Sequence, residues 1–151
     1  MNKSKSLTTE EAYELAQRTQ FDENYVVAKK LYEEILKTNP DHADANNNYT
    51  IVLLKLGQIQ KAKTYFEKTI KINPMHVNVY NNLGSLYNKL EDYGEAISYF
   101  KKSIRSNPNL LQAYYNLGKV YNNLGDHKNA KNYYEQAIKL SINNINIYNN
   151  L

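Results

Sequence analysis

Apolar side chains recur along this chain at the spacing of a helix face. Tyr80, Leu83, Gly84, Tyr87 and Leu90 follow one another in steps of 3, 1, 3 and 3, which puts them on one side of a helix. Tyr93, Ala96, Ile97, Phe100 and Ile104 make a second such face, and Glu91-Asp92 between them is short enough for a helix-to-helix turn. Asn107-Pro108 ends the second helix, because the residue before a proline avoids the α region. The unit is a helical hairpin, and it repeats. The three prolines, Pro40, Pro74 and Pro108, stand 34 residues apart. Ala28, Ala62, Ala96 and Ala130 share that period, as do Tyr32, Phe66, Phe100 and Tyr134, then Tyr80, Tyr114 and Tyr148, then Leu83, Leu117 and Leu151. The pattern predicts an all-α chain with helices near 9–22, 25–38, 43–56, 59–72, 77–90, 93–106, 111–124 and 127–140. They group as four repeats, 9–42, 43–76, 77–110 and 111–144, with 145–151 opening a fifth in phase. Thr8 and Glu11 form a capping box that starts the first helix, and residues 1–8 read as a disordered tail.

Small residues fill the positions where helices must approach closely. Ala16, Thr50, Gly84 and Gly118 share one phase of the first helices, and the four alanines share one of the second. Glycine inside a helix costs about 1 kcal/mol relative to alanine, so Gly84 and Gly118 signal packing that a methyl group would crowd. The first repeat departs most from the pattern, with Ala12 and Thr19 where later repeats carry tyrosine or leucine. End repeats of stacked arrays are commonly atypical, since one face meets solvent. At the other end the chain stops partway into its fifth repeat, and it is expected to be part of a longer protein. An open apolar end of this kind predicts weak self-association.

The stretch VNVYNNLGSLYNKLEDYGEAISYFKKSIRSNP, with its aromatic, Leu-Gly and Tyr in one helix and its Ala, aromatic and final Pro in the next, resembles the tetratricopeptide (TPR) repeat. LQAYYNLGKVYNNLGDHKNAKNYYEQAIKLSI matches as far as Ile142, which stands in the proline position. The resemblance implies a right-handed solenoid whose first helices line a concave groove that binds peptides or partner proteins. HADANNNYTIVLLKLG also looks like the amino-terminal arrays of large bacterial TPR-linked transferases, over residues 12–74. That resemblance would make the segment a substrate-presenting domain of a glycosyl- or sulfotransferase.

The groove phases are rich in asparagine. One holds Asn48, Asn82, Asn116 and Asn150, a neighbour holds Asn47, Asn81, Tyr115 and Asn149, and Asn88 and Asn122 follow on the same face. Asparagine is a mediocre helix former, so a column of it inside helices needs a reason. Each side chain offers an acceptor and a donor, and a column of them can clamp backbone amides without reading sequence. The groove resembles the asparagine ladder of O-linked N-acetylglucosamine transferases. The bland alternative is composition, since the chain holds 23 asparagines and 15 tyrosines, as an AT-rich genome would produce. The TPR clamp for a terminal carboxylate is not expected, because its phases here hold Tyr13, Gln17, Asn48, Asn78 and Asn82, or Asn47, Ile51, Asn82, Gln112 and Asn116, with no cation.

Charge and composition narrow the rest. Net charge is +4, from −2 over residues 1–42 and +6 over 43–151, too diffuse for a nucleic-acid stripe. Lys37, Lys71, Arg105 and Lys139 form a basic column, each in the last turn of its helix, where cations complement the macrodipole. Acidic pairs such as Glu33-Glu34 read as solvated helix faces. Cysteine is absent, and His42 and His76 in the inter-repeat loops are too few for a metal site. No nucleotide-binding or nucleophile motif is present. The expectation is a cytoplasmic interaction module, not an enzyme, with a protein or peptide partner and no cofactor, metal, nucleic acid or membrane.

Overall fold

The computed structural model describes residues 7–149, and side chains over 7–142. The expected tail at 1–8 therefore lies almost wholly outside the described residues. The fold is all-α, of the helical-repeat solenoid class. In order come α1 (Thr9–Phe21), α2 (Tyr25–Thr38), α3 (Ala43–Lys55), α4 (Ile59–Ile72), α5 (Val77–Lys89), α6 (Tyr93–Ser106), α7 (Leu111–Asn123) and α8 (His127–Asn149). Seven of the eight match the periodicity to within one residue at each end. The chain divides into two compact units, residues 1–74 with α1–α4 and residues 75–151 with α5–α8. Among the described residues no helix is long and apolar enough to cross a membrane.

Local chemistry explains most boundaries. Thr8 Oγ1 accepts the Glu11 N–H at 3.2 Å, and Glu11 Oε2 accepts the Thr8 N–H at 2.8 Å, so the capping box is closed. The second helices α2, α4 and α6 stop at Asn39, Asn73 and Asn107, whose ψ of 81°, 92° and 97° leaves the helical region just before each proline. The eighth helix differs from expectation. It does not end near 140 with a fifth repeat starting at 145, but runs on to Asn149. Ile142 keeps its N–H and imposes no restriction on Ser141, so nothing breaks the backbone ladder there.

First helices end by a different device. Glu23, Gly57, Glu91 and Gly125, again 34 residues apart, all have positive φ, at 58°, 73°, 60° and 76°. At Gly57 the motif is complete: the Gln58 N–H reaches the Leu53 carbonyl at 2.8 Å, satisfying an orphan acceptor of α3. Glutamate holds the same conformation at Glu91 against the steric cost of a Cβ in the left-handed region, about 1–2 kcal/mol. Glu91→Gly is expected to raise stability by about 0.5–1 kcal/mol, the relief being partly offset by a more flexible unfolded chain. Urea unfolding followed by circular dichroism checks this. A loss of stability would show that the Glu91 side chain has a stabilising contact.

Each unit has its own core. In the first, Ala16, Ala28, Tyr32, Ile35, Tyr49, Val52, Leu53 and Ala62 are buried together. In the second, Ala96 and Phe100 of α6 gather with Leu117 and Val120 of α7. The small-residue phase is decisive here. A Cβ on Gly84 would lie 2.7 Å from the Phe100 ring, and one on Gly118 would lie 2.7 Å from the Tyr134 ring. The missing methyl lets each aromatic of a second helix lie directly against the backbone of its first helix. Stacked tyrosines repeat beside them, Tyr87 on Tyr99 at 5.5 Å and Tyr121 on Tyr133 at 5.4 Å.

Candidate functional site

The first helices present the asparagine phases, and the structure shows what their amides do. Asn48 Nδ2 donates to the Tyr13 hydroxyl at 3.0 Å, between α3 and α1. Asn116 Nδ2 donates to Asn81 Oδ1 at 3.2 Å, and Asn123 Nδ2 to Asn88 Oδ1 at 3.3 Å, both between α7 and α5. All three pairs are 35 residues apart, one repeat plus one position. Neighbouring first helices are thus offset by one residue, and the amides bridge them. Gln112 Nε2 extends the second set by donating to Asn116 Oδ1 at 3.0 Å. These pairs hold the amides in line while leaving further donor and acceptor positions on each.

The candidate residues do not form one uniform row. Asn48, Asn81, Asn82, Asn88 and Asn116 are half-buried on the first-helix faces. Asn48 borders a hollow with Gln17, Gln20 and Phe21, the last 87 % exposed. Asn47 faces inward instead. It is 3 % exposed and donates to Asn48 Oδ1 at 3.3 Å. Tyr115 and Asn122 sit at the far end of the last hairpin, Tyr115 against the Tyr134 ring at 5.7 Å and Asn122 in a hollow with Ala130, Tyr134 and Ile138. The side chain of Asn149, and Asn150 altogether, lie outside the described residues.

Three groups escaped the sequence reading. Asn123 bridges where Asn122 was expected. Asn46, wholly buried, donates to the carbonyls of Pro40 at 2.8 Å and His42 at 2.9 Å. It tethers the inter-repeat loop to α3, and the available signal was its place in a phase that later holds Tyr80 and Tyr114. Glu33 is the third. It is not simply a solvated face residue, because Oε1 accepts the hydroxyl of the fully buried Tyr49 at 2.6 Å and the Lys61 amine at 3.3 Å. The Tyr49 hydrogen bond, helped by Lys61 and Lys29 against the effect of burial, holds the Glu33 carboxyl below its usual range. Burial and the facing carboxylate push the Tyr49 hydroxyl the other way. His42 has a structural use, its Nδ1 accepting the Ala45 N–H at 3.3 Å to cap α3.

The basic column stays on the second helices. Lys37, Lys71, Arg105 and Lys139 are all exposed, the first three in the last turns of α2, α4 and α6. Lys37 pairs with Glu34 at 2.6 Å, an exposed bridge of the kind that contributes little. Among the described residues no three acidic or histidine side chains gather as metal ligands would.

Two family models, each described as tetratricopeptide repeat, match residues 22–86 and 76–143. No curated protein sequence matches the chain. Among solved structures, a crystal structure of MamA superposes with a TM-score of 0.80 at 19% identity, covering 92% of this chain and 81% of that one. MamA of Desulfovibrio magneticus RS-1 gives 0.76 at 24% identity, with 90% and 77% covered. PilF of Pseudomonas aeruginosa gives 0.80 at 22% identity, with 87% and 60% covered. These likenesses establish the fold, and with the two adjoining family matches and the 34-residue hairpins they lead to one conclusion: the chain belongs to the tetratricopeptide repeat family.

Proposed function

We propose that the chain is a non-catalytic, cytoplasmic protein-interaction module that holds an extended peptide, or a segment of a partner protein, along its first-helix faces. The observation that carries this reading is the alignment of neutral amides. Asn48 lies beside Gln17, Gln20 and the exposed Phe21 in the first unit, and Gln112, Asn116 and Asn81 form a hydrogen-bonded line in the second. Bridged amides are pre-oriented, so little side-chain entropy is lost when they meet a peptide backbone. Their neutrality favours a partner recognised through its backbone rather than through its charge.

The test is calorimetric titration with a peptide selected from a random displayed library on the immobilised protein. Asn48→Ala and Asn82→Ala are each expected to weaken binding by about 0.5–1.5 kcal/mol, the net worth of a hydrogen bond. Salt dependence should be unchanged, since no charge is removed. Lys71→Ala and Arg105→Ala serve as controls on the second helices. Normal binding by both asparagine variants, with loss in the two controls, would move the working surface to the basic column.

A further inference from the structure

Neutral amides on the first helices can hold a backbone, so any choice among side chains has to come from the residues beside them. In the first unit those residues depart from the pattern of the later repeats. Glu10 and Asp44 share a phase that continues with Asn78 and Gln112, and Glu14 stands in the phase of Asn48, Asn82 and Asn116. Phe21 stands in the phase of Lys55, Lys89 and Asn123. Carboxylates thus take the place of amides towards one end of α1, and an aromatic takes the place of polar side chains at the other.

Asn48 links the two ends. Its Nδ2 donates to the Tyr13 hydroxyl at 3.0 Å, and burial, then the Asp44 and Glu10 carboxylates, push that hydroxyl up. Both carboxylates therefore lie around it, and Glu10, Glu14 and Asp44 are all exposed. Asn48 also borders the hollow with Gln17, Gln20 and Phe21, which holds about 270 Å³. That is less than the roughly 300–1,000 Å³ of small-molecule sites, and suits a single side chain of a larger partner. Gln20 is fixed there by accepting the buried Tyr32 hydroxyl at 2.9 Å, and the exposed Phe21 is the apolar wall. Glu14 and Phe21 are seven positions apart on α1, about 10 Å along the axis. An extended peptide covers that span in about three residues.

We propose that the first unit selects an extended peptide carrying a lysine or arginine three positions from a large apolar residue. The cation faces Glu10, Glu14 and Asp44, the apolar side chain packs on Phe21 in the hollow, and Asn48 holds the backbone between them. Charge complementarity sets the occupant. The chain as a whole is at +4, so the negative rim is a local feature of this stretch, and the apolar hollow beside it has room for one anchor. The proposal rests on the reading of the first-helix amides as a backbone clamp and adds the two side chains that the clamp does not choose.

Nuclear magnetic resonance titration of the isotopically labelled full chain tests it, since amide shifts report even weak binding. The probe is the capped octapeptide Ser-Ser-Lys-Ser-Ser-Leu-Ser-Ser, which should shift the backbone amides of Phe21 and Asn48 in a saturable way. Replacing its lysine by glutamate should weaken binding about tenfold. Replacing its leucine by serine should do the same. Phe21→Ser, at an exposed position that does not threaten the fold, should lose about tenfold for the leucine peptide and no longer distinguish it from the serine one. In the double variant Glu10→Gln, Glu14→Lys the charges at positions 10, 14 and 44 sum to zero, and the lysine and glutamate peptides should bind alike. Added salt should weaken the lysine peptide on the wild type and leave the double variant unaffected. A wild type that does not bind the lysine peptide, or binds the glutamate peptide equally well, overturns the proposal. So does a Phe21→Ser variant that binds as the wild type does. Asn48→Ala against the library-selected peptide judges the amide clamp separately, so each reading can fail without the other.

Discussion

Phe100→Ala is expected to lower stability by about 3–5 kcal/mol, the usual cost of removing a fully enclosed aromatic. The ring is 1 % exposed and sits between the Gly84 backbone and the Leu117 and Val120 side chains. Those neighbours belong to two other helices, which cannot close the gap without shifting a whole hairpin. Gly84 makes the prediction sharper. Gly84→Ala alone should destabilise, because its Cβ would meet the Phe100 ring at 2.7 Å and overpacking costs about 1–3 kcal/mol. That outweighs the gain of about 1 kcal/mol from better helix propensity. With Phe100→Ala already present the ring is gone, and the same change should stabilise by about 1 kcal/mol. The reversal of sign is the signature of direct coupling between two positions. Urea unfolding of the four proteins, followed by circular dichroism, reads it. If Gly84→Ala has the same effect with and without the ring, the close approach does not decide the choice of glycine.

Tyr49→Phe is expected to cost about 1.5–3 kcal/mol at neutral pH, the range for a hydrogen bond to a charged group, with a value near the lower end because Glu33 is partly solvated. The change leaves the buried ring in place and removes only the hydroxyl that meets Glu33 Oε1 at 2.6 Å. Its pH dependence follows from the carboxyl. The folded pKa of Glu33 lies below its unfolded value, so its contribution is fully present above the unfolded value, about 4.3. It is lost as pH falls through the lower folded value. The difference in stability between wild type and Tyr49→Phe should therefore shrink as pH drops below about 4. A difference that holds constant down through that range would mean that Glu33 does not respond to Tyr49. Lys61 and Lys29 remain beside the carboxylate in the variant, at 3.3 and 3.5 Å, and keep part of the effect.

Glu33 also marks where sequence reading loses its hold. As one of an acidic pair on a helix it looks solvated, and Glu34 beside it fits that description. What separates the two is a tyrosine 16 residues on and a lysine 28 residues on, brought to one of them by the packing of α2, α3 and α4. Asn46 is a more legible case. Its departure from the tyrosine phase was visible, although its bonds to Pro40 and His42 were not. The asparagine column was legible as a column. Its division into bridging, buried and end-facing members was not, because that depends on the one-residue offset between adjacent first helices.

By itself, then, the sequence determined the helices, their 34-residue period, the hairpin pairing and the positions that must be small. Each of these is fixed by local chemistry: apolar spacing at helical period, prolines that exclude the preceding residue from the α region, a capping box, and a phase that admits only small side chains. Tertiary structure alone decided which asparagine meets which, that Asn47 turns inward, that Glu33 serves a buried hydroxyl, and that Tyr115 lies against Tyr134 while Asn122 borders a hollow with Ala130, Tyr134 and Ile138. That α8 continues past Ile142 follows, by contrast, from a local signal in the sequence, the absence of a proline at that position. Period and phase are properties of one helix read along its own axis, whereas partners and exposure depend on how far the next helix is displaced.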